Sequence, residues 1–297
     1  MSAATDVETP LRRIVADFTA SKLALTGLCT LILIILVAVF APVVSPQNPY
    51  DLAQLDITDA RLEPGSKATS GTLTYWLGTD DQGRDMLSGI FYGLRTSIGV
   101  GVIATVIALA IGMSIGLTAA FAGGKVDALI MRIADIQLSF PAILIALILL
   151  ALLGQGVDKI IVALVAVQWA YYARTVRGAA LVERGKEYVE AARCLALSPT
   201  RIVLRHLLPN CLPPLIVVAT VQVAAAIALE ATLSFLGLGL PITEPSLGLL
   251  IANGFSYLLS GKYWISFFPG LALLVTIVSI NLVGDQLRDV LNPRLQR

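Results

Sequence analysis

Five stretches of this chain contain no Asp, Glu, Lys or Arg: Leu23–Tyr50, Thr96–Gly124, Ile136–Val157, Leu207–Leu229 and Tyr263–Gly284. An α-helix rises 1.5 Å per residue, so roughly 20 apolar residues cross about 30 Å of hydrocarbon. Each stretch is long enough. A sixth, Ile160–Ala173, offers 14 residues before Arg174. It spans if Arg174 and Arg177 lie among the inner headgroups, where long cationic stems snorkel to water. Trp169, Tyr171 and Tyr172, just before them, suit an interfacial aromatic belt. The chain is 57% hydrophobic and 14% charged, outside the range of soluble domains. The expected fold class is an all-α polytopic membrane protein with six transmembrane helices.

Basic residues set the expected orientation. With the N-terminus inside, 15 of the 21 Lys and Arg fall on inner segments and 6 on outer ones. That asymmetry places both termini in the cytoplasm. The apolar core of the first span, Leu23–Val44, is longer than the 7–15 residues of a cleaved signal peptide. A net charge of +1 argues against nucleic acid as a partner. Cys29, Cys194 and Cys211 are odd in number and match no metal spacing, so they are expected as free thiols.

The segment Glu187–Asn210 is the one long charged, helix-patterned insert in the second half of the chain, and the orientation puts it inside. Glu190, Ala191 and Ala192 form a turn whose small side chains let another surface come close. Ser198 and Pro199 read as an N-cap and first-turn proline of a new helix. In that helix Ile202, Val203, Leu207 and Leu208 are apolar while Arg201, Arg205 and His206 are polar, an amphipathic pattern that Pro209 is expected to end. On the opposite side, the stretch between residues 50 and 92 carries Asp51, Asp56, Asp59, Glu63, Asp80, Asp81 and Asp85. Its Gly/Ser/Thr-rich part at 65–74 is expected to be irregular. Thr79 or Asp80 can cap a helix running from Gln82 into the second span. The unassuming reading of these charges is a solvated loop with local ion pairs.

The 187–210 segment resembles the EAA loop of binding-protein-dependent ABC importer permeases, with Ala196 where that pattern has Gly. Three further strings resemble the dipeptide/oligopeptide (and nickel) permease group. They are Leu77-Gly78-Thr79-Asp80-Asp81-Gln82-Gly83-Arg84-Asp85, Leu233-Ser-Phe-Leu-Gly237-Leu-Gly239-Leu-Pro241, and Asn281 through Arg294. The resemblance runs from about residue 77 to 295. It implies a type I ABC importer permease fold, with 1–76 as tail, first helix and external loop, and 77–297 as permease core holding a coupling loop at 182–210. It also implies a homologous second permease subunit, two cytoplasmic ATPases and an external solute-binding protein as partners, in the inner membrane. Glu190, Ala191, Ala192, Ala196, Ser198, Pro199, Arg205, His206, Leu208, Pro209 and Asn210 would then meet an ATPase. Gly78, Thr79, Asp80, Gly83, Arg84 and Asp85 would lie outside, near where substrate comes in. ATP and Mg would belong to the partners, and this chain would bind no cofactor.

The chemistry absent from the chain agrees. Gly254 to Tyr263 imitates a Walker A loop but has six residues before Gly261-Lys262, and Tyr where Ser or Thr belongs. With one histidine, His206, there is no metal set and no nucleophile–base pair, so no enzyme is expected. Ionisable groups in spans are costly and draw attention to Glu230. It either lines a path and meets a peptide ammonium, or bonds to a neighbouring helix. Arg132 and Asp135 have the spacing of an in-helix pair. Two rivals remain: the same machine carrying nickel complexes or another peptide-like solute, and a stand-alone secondary transporter or channel. The latter predicts inverted repeats and mid-span relays.

Overall fold

The computed structural model describes residues 10–49, 51, 53, 55–71, 73–241 and 243–291. Its elements are α1 (Pro10–Ala20), α2 (Lys22–Val39), α3 (Ala41–Val44), a hairpin of β1 (Ser66–Lys67) and β2 (Thr74–Tyr75), and α4 (Met86–Ala122). Then follow α5 (Gly124–Ser139), α6 (Ala142–Leu153), α7 (Val157–Arg184), α8 (Glu187–Cys194), α9 (Pro199–Ile202), α10 (Leu208–Phe235), α11 (Leu247–Phe255) and α12 (Trp264–Leu291). Among the described residues, four helical stretches are long and apolar enough to cross a membrane: α2, α4, Pro199–Phe235 and α12. A fifth candidate is the pair α5 and α6, bent by 91° at its break.

A proline inside the third uncharged run predicts a kink there, and the bend at Pro141 is sharp enough to divide the run into two helices. Pro141 lacks an N–H, and its ring drives Phe140 out of the helical region, to ψ 143°. The two halves therefore part company. α5 instead lies along α7, pinned by polar contacts. Arg177 donates to Asp127 at 2.5 and 2.6 Å, Arg174 pairs with Asp135, and Trp169 Nε1 donates to Gln137 Oε1 at 2.7 Å. The partner of Asp135 is thus Arg174 of α7 rather than Arg132. The sixth stretch belongs to α7, a single helix of 28 residues.

α4 and α7 make the most extensive helix pair, and glycine is the reason. A Cβ at Gly116 would run into the Ala173 carbonyl and Val176, and one at Gly112 into the Trp169 carbonyl, with Tyr172 Cβ at 2.6 Å. With only hydrogen there, the two backbones approach closely, as small-xxx-small faces allow in membranes. Tyr172, Val176, Ile202, Leu207 and Cys211 gather in a core at the 187–210 end, and Val100, Ala146, Ile160, Leu164 and Leu233 in a second core toward the other.

Two helix boundaries differ from those expected. Pro209 does not end the amphipathic helix: Pro199–Phe235 runs on for 37 residues, with a π-turn at Val203–Leu207. A proline clashes with the carbonyl four residues earlier. A wider turn immediately before it relieves that clash, and π-turns of this kind sit preferentially at functional positions. At the other end α4 starts at Met86, not Gln82, with Asp85 as its cap, accepting from Ser88 N at 2.8 Å. Asp80 cannot serve because its carboxylate is committed to the preceding turn. Residues 65–74 are not wholly irregular, since β1 and β2 pair there.

Candidate functional site

The 187–210 segment is a two-faced plug. On its inner face Val189, Ala192, Ile202 and Leu207 are buried in the core formed by α7 and α10. On its outer face Glu190, Ala191, Ala196, Ser198, Pro199, Arg205, Pro209 and Asn210 are exposed, and Leu195 is 74% exposed. His206 and Leu208 are half-buried. The structure therefore divides the two alanines: Ala191 looks outward while Ala192 belongs to the subunit's own core.

The turn between α8 and α9 is built by the backbone. Ala196 has φ +51°, its N–H reaches Arg193 O at 2.9 Å, and Leu197 N–H reaches Ala192 O at 3.2 Å. This pair of bonds is the Schellman arrangement, in which a left-handed residue satisfies the last carbonyls of a helix. The position favours glycine, which has no Cβ to oppose the left-handed conformation. Ser198 occupies the N-cap position of α9 with extended backbone, but its side chain makes no capping bond.

A polar foot, of which the sequence singles out only Asn210, anchors the plug. Tyr188 OH donates to Glu183 Oε2 at 2.7 Å and accepts from Asn210 Nδ2 at 3.2 Å, while Lys186 Nζ sits 2.6 Å from Glu183 Oε1. Burial, then the hydrogen bond to Glu183, pushes the Tyr188 phenol up to about 12. It therefore stays a neutral donor. Asn210 Nδ2 also donates to His206 O at 2.7 Å. Glu183 and Asn210 border a cavity of about 930 Å³, also lined by Gln222, Asp285 and Arg288 and by the paired Pro213 and Pro214. Sequence gave no signal for Tyr188, because a tyrosine near a helix start has many reasons to be there.

The 77–85 string turns inward. Thr79, Asp80, Arg84 and Asp85 are buried, so the solvated-loop reading fails for this string, although Asp56 and Glu63 are exposed and Asp80 and Arg84 do form a local ion pair. Arg84 Nε donates to Asp80 Oδ2 at 2.8 Å, and Arg84 N and Gln82 N both reach Asp80 Oδ1 at 2.9 Å. Gly83, at φ +78°, is where the Asp56 carbonyl comes so close that a Cβ has no room. Thr79 receives Leu62 N at 2.7 Å and gives its hydroxyl proton to Asp59 O at 2.5 Å. Trp264 Nε1 donates to Thr79 O at 3.2 Å, and Gly78 packs against the same indole, fastening the string to α12. Asp85 N donates to Gln47 Oε1 at 2.7 Å, which ties the string to the segment after α3.

Asp59 is the hub of this small unit. Its carboxylate accepts Thr69 N at 2.9 Å, Thr69 Oγ1 at 2.5 Å and Tyr75 OH at 2.9 Å. Burial works against ionisation, but these three bonds, Thr69's first, outweigh it and hold the carboxyl below its ordinary value. Burial, then the bond to Asp59, raises the Tyr75 phenol. Glu230 lies in α10 and is wholly buried, with hydroxyls from Ser97 and Ser234 at 2.7 and 2.8 Å.

A bundle of long apolar helices carrying an outward-facing helical plug at one end defines a membrane permease subunit. The same fold occurs in an inward-facing structure of the MetNI methionine ABC transporter, at TM-score 0.57 and 21% identity over 70% of this chain and 98% of that one. Residues 112–297 match the family described as binding-protein-dependent transport system inner membrane component, and the chain belongs to that family. Residues 9–64 match the N-terminal TM domain of oligopeptide transport permease C. The di/tripeptide transport system permease protein DppC of Pseudomonas aeruginosa is 38% identical over 97% of this chain and 93% of its own length. The oligopeptide transport system permease protein OppC of Bacillus subtilis is 38% identical over 94% and 88%.

Proposed function

We propose that this chain is the non-catalytic permease subunit of an ATP-driven importer of di- and oligopeptides, forming half of a translocation path with a homologous second permease. The observation that carries this is the plug: a helical segment with a buried inner face, an exposed outer face and a continuous connection into a membrane-crossing rod. Such an element has no purpose within the chain itself, and it suits a foreign motor. The names of the relatives at 38% identity support peptides as cargo. In this reading α2, α4, the α5–α6 pair, α7, α10 and α12 are six spans, and both termini are cytoplasmic. Two ATPases grip the outer face of 187–210 and supply ATP and Mg; this chain binds neither. An external binding protein docks at the side of the 77–85 string and selects the cargo.

Differential contacts of the plug in two motor states would bias the bundle between inward- and outward-open forms. Ala191→Asp tests the grip. It adds a charge to the outer face without touching the subunit core, so the subunit should remain folded while co-purification of the ATPases falls. Recovery of the ATPases in full would refute the docking assignment. ATP-dependent uptake of labelled di- and tripeptides by the reconstituted complex tests the function as a whole. Uptake by this chain without ATPases would refute it.

A further inference from the structure

Glu230 is a fully buried carboxylate that the cycle proposed above leaves without a task. Its partners are hydroxyls rather than a cation. Ser97 of α4 donates to Oε2 at 2.7 Å, and Ser234, one turn along α10, donates to Oε1 at 2.8 Å. Ser246, just before α11, is buried at the same junction. Two of these serines also receive the first N–H groups of α11: Leu247 N reaches Ser97 Oγ at 3.4 Å, and Leu249 N reaches Ser246 Oγ at 3.2 Å. One carboxylate thus organises the start of α11, the first part of α4 and the end of α10.

The mechanical setting gives this junction its meaning. Pro199–Phe235 is one continuous stretch, with the plug at its beginning and Glu230 near its end. At 1.5 Å per residue the two lie about 46 Å apart along the helix, more than the roughly 30 Å thickness of the hydrocarbon core. Beyond Glu230, α11 returns over α10 and α12 with glycine contacts: Gly248 sits on the Ala231 backbone and Gly254 on Ile265–Ser266. α11 is therefore held by close packing along its length and by the carboxylate only at its first turn. A buried carboxyl group secured by hydroxyls costs more than an apolar side chain of the same size. Packing alone does not call for it.

Resting on the importer reading, we infer that Glu230 is a positioning residue for the outer mouth. It fastens the first turn of α11 to the rod, so that motion begun at the plug moves α11 and α4 together. Without the carboxyl group, Ser97 keeps Leu247 N–H but loses the acceptor that joins it, and through it the first turn of α11, to α10. The motor end would then move without the mouth.

The test uses the complete importer complex in proteoliposomes, with the wild type, Glu230→Ala, Glu230→Gln and Ser97→Ala. Coupling between sites is commonly a factor of about 5 to 150. Glu230→Ala should raise cargo-free ATP hydrolysis roughly 5-fold or more and lower the peptide moved per ATP. Glu230→Gln keeps an acceptor oxygen and should restore part of the coupling. Ser97→Ala should shift coupling in the same direction by less, and it decides the matter if Glu230→Ala fails to assemble. In parallel, hydrogen exchange on the isolated subunit should show faster exchange at Leu247 and Leu249 in the variants. A wild-type complex that imports peptide, beside variants with normal coupling and unchanged exchange, overturns this inference and leaves the importer reading intact. A wild-type complex that moves no peptide with ATP overturns the importer reading, and the exchange measurement then judges the clamp alone.

Discussion

Replacing Ala196 by glycine should stabilise the plug. Ala196 sits at φ +51°, where a Cβ crowds the following carbonyl, at a cost of roughly 1–2 kcal/mol. Glycine removes that strain but gains freedom in the unfolded chain, which takes back about 0.4–1 kcal/mol. The methyl is exposed, so no packing is lost with it. The net gain is about 0.5–1 kcal/mol, or roughly a 2- to 5-fold shift in the local opening equilibrium. Native-state hydrogen exchange reads this directly at two amides, Ala196 N–H bonded to Arg193 O and Leu197 N–H bonded to Ala192 O. After correction for intrinsic rates, the Leu197 amide should exchange about 2- to 5-fold more slowly in the variant. Ala191→Gly is the opposite control. It lies in the right-handed interior of α8, where glycine costs roughly 0.5–1 kcal/mol, so exchange should speed up. Unchanged or faster exchange in Ala196→Gly would show that the turn stores no strain.

Gly116→Val should abolish recovery of monodisperse subunit in detergent, because its side chain meets backbone of α7 that cannot move aside. The cost is roughly 1–3 kcal/mol or more. Gly99→Ala in the same helix meets nothing within 4 Å and should be recovered normally; equal recovery of both variants would refute the close-packing account. The hairpin unit should be pH-sensitive through Asp59, whose folded carboxyl lies below its ordinary 3.8. A depressed value stabilises at every pH above 3.8 and loses that contribution as pH falls through the lower folded value. Exchange protection at Thr69 N–H should hold near neutrality and fall only in that acid window, and Asp59→Asn should remove the transition. A fall beginning near neutrality would contradict it.

Much of the architecture was legible because lipid imposes a simple rule. An uncharged run of bilayer length is a spanning helix, and four such runs are α2, α4, α10 and α12. The plug was legible for the converse reason, as charge at helical spacing between apolar runs. The rule failed where a local backbone property competed with hydropathy. Pro141 folds the third run back by 91°, and Pro209 is absorbed by a π-turn instead of ending its helix. The proline announces a kink in the third run, but composition sees neither the size of that bend nor the π-turn, since both depend on whether a neighbouring turn can widen or a neighbouring helix can take up the freed segment.

The sequence by itself determined the chemistry of each part: apolar runs of bilayer length, and a charged, helix-patterned insert around Ala191. Only the tertiary structure decided which polar groups meet. Asp135 pairs with Arg174 of α7, Asp80 and Arg84 turn inward, and Ser97 finds Glu230 across 133 residues of chain. Hydropathy acts residue by residue and is written in order along the chain. A hydrogen bond needs two groups within about 3 Å, and that distance is set only when the helices carrying them have packed.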